Sequence, residues 1–365
     1  MDIMRKLATI RQILDLRPIP GADQIELAVV DGWTVVVRVG EFKRGDPCVY
    51  FEIDSFLPLR PEFEHIRARC FKRMGEQEGL RIKTIRLRGQ LSQGMALPLT
   101  SFPEIITEWD RLCNEGLKAA NTTIHDVDFS ELLGVQKYEP PVPTQLAGNV
   151  SGNFPGFIPK TDQERCQNYG REIFVDNEGA RYEITVKLDG TSFTGYRKDE
   201  EDGVCGRNWK LKVDDDNATN SLVRMYVDSG LQAALAKLGM NYAVQGELMG
   251  PGIQKNREGF KITKLFVFDI YDIDNGCYLA PHARHEVLYQ LWDLGLDRDM
   301  VDHVPVIAME MPLEELGIES VDQLLAYAEG PSIAHAIREG LVFKRVDGGF
   351  SFKAISNKFL LKEED

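Results

Sequence analysis

The chain has 365 residues, 43% hydrophobic and 27% charged, a composition that fits a globular protein of about two domains. No stretch approaches the roughly 18 consecutive apolar residues that a membrane span needs. The opening Met1-Asp2-Ile3-Met4-Arg5-Lys6 lacks the apolar core of a signal peptide, so a soluble intracellular protein, cytoplasmic or nuclear, is expected. The net charge of −14 would, taken alone, argue against a nucleic-acid partner.

Residues 1–100 read as β-rich. Leu7-Ala8-Thr9-Ile10, Thr34-Val35-Val36-Val37-Arg38-Val39 and Cys48-Val49-Tyr50-Phe51-Glu52-Ile53 are strand-like, and turns at Asp31-Gly32 and Arg44-Gly45-Asp46 separate them. Short strands at this spacing predict a small barrel. Between Arg67 and Arg88 the chain concentrates Arg67, Arg69, Lys72, Arg73, Arg81, Lys83, Arg86 and Arg88 against Glu76 and Glu78. Such a run is either a solvated face or a surface that tracks phosphates. Residues 101–150 form a mixed connecting region, helical around Ile105–Trp109. The Pro140-Pro141-Val142-Pro143 cluster marks a boundary, with a second domain over 151–365. Six scattered cysteines (Cys48, Cys70, Cys113, Cys166, Cys205, Cys277) include no CxxC pair, which predicts reduced thiols and no zinc site.

The second domain alternates strands, expected at 182–187, 192–197, 242–247, 264–271 and 341–346, with helices at 218–238, 283–294 and 321–328. This predicts an α+β domain, and neither a P-loop nor a GxGxxG fingerprint is present. Its chemistry starts at Lys187-Leu188-Asp189-Gly190, a lysine at a strand end two residues from a carboxylate. Such a lysine is a nucleophile once burial or neighbouring cations favour the neutral amine. Asp189, Glu247 and Glu339 could hold Mg2+ or Mn2+ directly or through water, since hard cations take oxygen ligands. Arg207, Lys344 and Lys353 could neutralise charge on a phosphate under attack. Phe266 and Phe268 fall on one side of a strand by period two, where core packing is the ordinary role for at least one.

In order along the chain stand Lys187-Leu188-Asp189-Gly190, Gly206-Arg207-Asn208, Glu247 after a strand, Phe268-Asp269 within one, Glu339-Gly340-Leu341-Val342-Phe343-Lys344 and Ser351-Phe352-Lys353. Together they resemble the covalent nucleotidyltransferase superfamily of polynucleotide ligases and capping enzymes. The resemblance implies an ATP-grasp-like arrangement of antiparallel sheets with helices. It implies that Lys187 carries AMP, with Asp189 and Lys353 as further catalytic residues. It also implies nucleotide contacts from Arg165, Val186, Arg207, Glu247, Phe268, Lys344 and Lys353, Phe268 stacking on the purine. Pro159 to Asn168 is similar to a segment ahead of the nucleophile in RNA ligases and supplies Arg165.

Only twelve residues follow Lys353, which leaves no room for the C-terminal OB domain of DNA ligases and capping enzymes. The N-terminal region instead resembles an OB fold, and Ile85 to Met95 is similar to tRNA-binding OB modules, which makes Lys83, Arg86 and Arg88 the expected RNA contacts. This order looks like the fifth clade of ATP-dependent RNA ligases. It implies a monomer that seals 3′-OH/5′-phosphate breaks, in nicked duplexes with a ribonucleotide at the 3′-OH end and including mixed RNA/DNA, in RNA repair. A capping-type guanylyltransferase and a non-catalytic RNA-binding protein are the alternatives. The residues themselves do not select adenine over guanine. Where many ligases have Lys-x-Lys, this chain has Lys353-Ala354-Ile355, and the role of Lys358 is left open.

Overall fold

Why a chain with so many short β-branched runs folds into two separate sheet systems is visible in a computed structural model that describes residues 5–119, 122–140 and 148–363. Pro141, Val142 and Pro143 of the expected boundary, and the first four residues, lie outside the described residues. The chain divides into one unit of Met1–Pro141 with Leu360–Asp365 and another of Val142–Phe359.

The first unit starts with a long strand, β1 (Ala8–Pro18), followed by β2 (Ile25–Val30), β3 (Trp33–Arg38), β4 (Pro47–Phe51) and β5 (Ser55–Leu57). Then come a short helix α1 (Arg67–Cys70), β6 (Phe71–Met74), β7 (Gln77–Arg81), β8 (Ile85–Leu87), β9 (Gln90–Ser92) and β10 (Met95–Pro98). The first half of β1 pairs with β4 and the second half with β2. The register shifts between Ile13 and Asp15, a bulge that bends the strand so that it serves both sides of a curled sheet. The sheet order β10-β4-β1-β2-β3 follows. Residues 101–150, read as a connecting region, supply core to this unit. Phe102, just ahead of the helix α2 (Pro103–Asn114), Ile105 within it, and Phe129, Leu133 and Val135 after it pack with Phe51, Phe63 and Leu80. A two-residue strand β11 (Gln136–Lys137) pairs with β5.

The second unit carries β12 (Val150–Asn153), β13 (Arg181–Lys187), β14 (Thr191–Lys198), β15 (Glu201–Cys205) and β16 (Trp209–Leu211). Helices α3 (Ser221–Asp228) and α4 (Leu231–Leu238) precede β17 (Tyr242–Met249), β18 (Lys264–Asp272) and β19 (Cys277–Tyr278). The remainder is α5 (Pro281–Asp293), β20 (Val301–His303), β21 (Val306–Pro312), α6 (Val321–Tyr327), β22 (Gly340–Arg345), β23 (Ser351–Ile355) and α7 (Asn357–Glu363). Two antiparallel-dominated sheets result: β12-β16-β15-β14-β17-β18-β19, with β20 added beside β18, and β21-β13-β22-β23. One core lies between the larger sheet and α3, α4 and α5, and a second is built on β13, β22, β23 and α6.

The five expected strands are present. The single helix expected over residues 218–238 is two, α3 and α4, because Gly230 between them takes φ +79°. All six cysteines are free thiols. No helix among the described residues is long and apolar enough to cross a membrane.

Candidate active site

Lys187 is the last residue of β13, and Asp189-Gly190 carry the chain from the smaller sheet into β14 of the larger one. Only glycine fits the crossing: a Cβ on Gly190 would stand 2.4 Å from the Leu248 carbonyl oxygen. The close approach lets the Gly190 amide donate to Glu247 Oε1 at 2.8 Å. Lys187 opposes Gly340 in the β13–β22 ladder, so Glu339, just ahead of β22, falls beside the nucleophile. Its Oε2 accepts from Lys187 Nζ at 2.8 Å. Asp189 Oδ2 lies 3.5 Å from Arg257 Nε. Three carboxylates from three different elements therefore gather around one lysine.

Lys187, expected to be favoured as the neutral amine by clustered cations together with the metal, has a carboxylate as its closest charged partner. Burial works to lower the pKa of Lys187, yet Glu339, Glu247 and Asp189 outweigh it and hold the amine above the ordinary lysine value. The carboxylates are crowded in turn. Burial pushes Glu247 up to about 7 against the pull of Lys187, while burial and Glu339 raise Asp189. Half-buried oxygen donors that repel one another suit a hard divalent cation. These three do not each bring an oxygen within 4.8 Å of the others among the described residues, so a cation shared by all three would keep some of its water, as Mg2+ commonly does.

Two cations also belong to this neighbourhood. Lys353 sits on β23, its amide donates to the Glu164 carbonyl at 2.9 Å, and Arg165 forms a parallel bridge with it. Burial, Lys187 and Arg165 together depress Lys353 to about 8. The segment from Pro159 onward is stitched to the site strands elsewhere too: Gln245 Nε2 donates to the Pro159 carbonyl at 3.0 Å. Lysine and arginine side chains converging beside a nucleophile form an anion site.

Other expected residues stand differently. Phe268 is the extra residue of a bulge: consecutive Gln245 and Gly246 on β17 pair with Asp269 and Val267. A bulge re-aims its side chain, and Phe268 is partly exposed while Phe266 is core. Lys344 is held to the Phe268 strand. Its amine binds Asp269 Oδ1 at 2.7 Å and the Phe268 carbonyl, 5.6 Å from the Phe268 ring. The Val186 side chain belongs to the core, and its amide donates to Pro305. Arg207, 64% exposed, pairs with Asp162 at 2.8 Å. Ile355 is buried, and Lys358 pairs with Glu329 at 2.6 Å. In the first unit, Lys83, Arg86 and Arg88 are exposed on and beside the β8–β9 hairpin. Arg69, Lys83, Ile85, Arg86 and Leu87 line a surface groove there.

Sequence reasoning passed over Arg257 and Gln254, whose Nε2 donates to the Gly190 carbonyl at 3.2 Å. The signal was a polar, glycine-rich stretch directly after the Glu247 strand. It also passed over buried Arg284, whose mark was an arginine at an apolar position of α5, in step with Val287, Leu288 and Leu291.

Comparison with known proteins agrees with this geometry. A family model for an OB-fold domain matches residues 7–99, and one for RNA ligase matches residues 180–355. Comparison with curated proteins gave no match. Among solved structures, a Naegleria gruberi RNA ligase with PPi is 45% identical, covering 99% of this chain and 100% of that one, with a TM-score of 0.80. A mutant of it with ATP and Mn is 44% identical, covering 99% of each chain, TM-score 0.79. Another mutant, with AMP and Mn, is 45% identical over 99% of each, TM-score 0.80. A lysine at a sheet crossing, ringed by carboxylates and electrostatically coupled to Lys353, thus sits in a chain that belongs to the RNA ligase family.

Proposed function

We propose that this chain is an ATP-dependent RNA ligase that joins 3′-OH and 5′-phosphate ends through a lysine–AMP intermediate. The observation that carries the reading is the Lys187 amine, held at a strand end 2.8 Å from Glu339, with Lys353 close enough to it and to Arg165 for their charges to interact. The relatives solved with ATP, AMP, PPi and Mn support it.

Lys187 Nζ attacks the α-phosphorus of ATP, the N–P bond forming as the bond to pyrophosphate breaks. Lys353 and Arg165 take the negative charge of the α-phosphate, and Phe268 offers its ring to the purine. Mg2+ or Mn2+ held by Asp189, Glu247 and Glu339 would neutralise the carboxylates that keep Lys187 protonated and would draw charge from the phosphate. AMP then passes to the RNA 5′-phosphate, and the 3′-hydroxyl displaces it to close the backbone. The covalent intermediate divides one hard transfer into easier ones. Lys83, Arg86 and Arg88 track the RNA backbone. Nicks in duplexes with a ribonucleotide at the 3′-OH end are the preferred substrate, in RNA repair, and the chain acts as a monomer inside the cell.

Incubation with each nucleoside triphosphate and Mn2+, followed by intact-protein mass spectrometry, tests the reading. An AMP adduct that is lost in Lys187→Ala is expected. A GMP adduct instead would move the protein to capping chemistry, and no adduct with any nucleotide would leave a binding protein only.

A further inference from the structure

Arg284 lies on the inner face of α5 and is 1% exposed. A buried guanidinium is costly unless its N–H groups find acceptors, and here the acceptors come from three other elements. One terminal nitrogen donates to Glu183 Oε2 on β13. Nε donates to His303 Nε2 on β20 at 3.1 Å, and the other terminal nitrogen lies 3.7 Å from Asp269 Oδ1 on β18. Asp269 in turn binds Lys344, and Lys344 opposes Glu183 in the β13–β22 register. The linked charges therefore run from the strand that ends in Lys187 to the strand that carries Phe268, and return through Lys344.

Glu183, His285 and His303 also bring one ligand atom each within 4.8 Å, a spacing that a transition metal could span. Arg284 already binds two of the three and supplies the cationic charge a metal would bring. His303 Nδ1 faces the Val304 carbonyl at 2.7 Å, which leaves Nε2 as the acceptor that Arg284 uses. The trio is an arginine cradle.

We propose that Arg284 is a positioning residue for nucleotide binding. It fixes Asp269, and through Asp269 it sets the Lys344 amine beneath the bulge that presents Phe268. The assignment rests on the function proposed above, in which Phe268 stacks on the purine. Two properties set it apart from ordinary core packing. The guanidinium joins the two sheets that carry the nucleophile and the purine aromatic, and no atom of it needs to touch the substrate.

Two variants of the full chain test the proposal. Arg284→Lys keeps the charge without the planar fork, and Asp269→Asn keeps the shape without the charge. Each should raise the KM for ATP in lysine–AMP formation roughly tenfold while changing the maximal rate less than about threefold. Because Arg284 acts through Phe268, adding Arg284→Lys to Phe268→Leu should raise the KM little beyond Phe268→Leu alone. If Arg284→Lys does not fold, Asp269→Asn decides by the same two readouts. A lowered Tm with the ATP KM unchanged in the folded fraction overturns the proposal, as does an effect fully additive with Phe268→Leu. A parent chain that forms no adduct fails earlier, at the ligase reading itself.

Discussion

Two residues at the site titrate close to neutrality in opposite senses. Glu247, raised to about 7 by burial, becomes a carboxylate able to hold a divalent cation as pH climbs through that value. Lys353, depressed to about 8 by burial and by the Lys187 and Arg165 cations, loses its ammonium as pH climbs past that one. Nucleotide binding needs both charges, because one residue serves the metal and the other the phosphate. The affinity for Mg2+ with α,β-methylene-ATP, which cannot react with Lys187, should therefore peak between pH about 7 and about 8. Calorimetric titration across the range measures it. In Lys353→Arg the upper limb should flatten, since a guanidinium stays protonated. A parent profile flat above pH 8 would mean that the Lys353 charge does not bind phosphate.

The helix pair α3 and α4 shows how much one residue decides at the scale of an element. The apolar spacing of Leu222, Met225, Tyr226 and Leu231 reads as one long helix, and that spacing does face the core. Gly230 breaks it, with φ +79° and a position where a Cβ would stand 2.8 Å from the Gly295 carbonyl. Gly230→Ala should lower stability by about 1–3 kcal/mol, the usual cost of a strained left-handed residue. Urea unfolding would measure it, and an unchanged midpoint would show that the turn relaxes freely. Periodicity cannot reveal such a break, because a glycine within a helical pattern signals weakly by itself. The strands at the site were legible for the opposite reason: β-branched runs ending in a charged residue carry both their element and their chemistry. Lys187, Asp189, Glu247 and Glu339 could be gathered from sequence order. The partners of Lys344 could not, since Asp269 and Arg284 meet it only through the register of β13 with β22 and the packing of α5. The Phe268 bulge likewise depends on how β17 and β18 pair, which no local pattern encodes.

For the molecule as a whole, a net charge of −14 has to coexist with binding to a polyanion. Part of the basic run between Arg67 and Arg88 is neutralised locally: Arg67 pairs with Glu64, Arg73 with Glu78 at 2.6 Å and Arg81 with Asp54 at 2.7 Å. Lys83, Arg86 and Arg88 are exposed around the β8–β9 hairpin, in the unit that matches an OB-fold model, with Arg86 also donating to the Leu361 carbonyl at 3.2 Å. Arg86 lies on β8, and Arg88 sits in the tight turn that follows, with φ +49°. In a chain of net negative charge, a few exposed cations on one hairpin should weigh heavily in the encounter. Each phosphate contact releases counterions and contributes about 0.7–0.9 to the slope of log affinity against log salt. Replacing Arg86 and Arg88 by alanine should reduce that slope by about 1.5 and weaken binding to a nicked RNA duplex. Lysine–AMP formation should stay at the parent rate, because Lys187, Lys353 and the carboxylates all belong to the other unit. Fluorescence anisotropy at several salt concentrations, beside adduct formation in the same preparations, separates the two effects. An unchanged slope would return these arginines to a solvated face. A fall in adduct formation would mean that the variant disturbs the fold instead of the RNA contact.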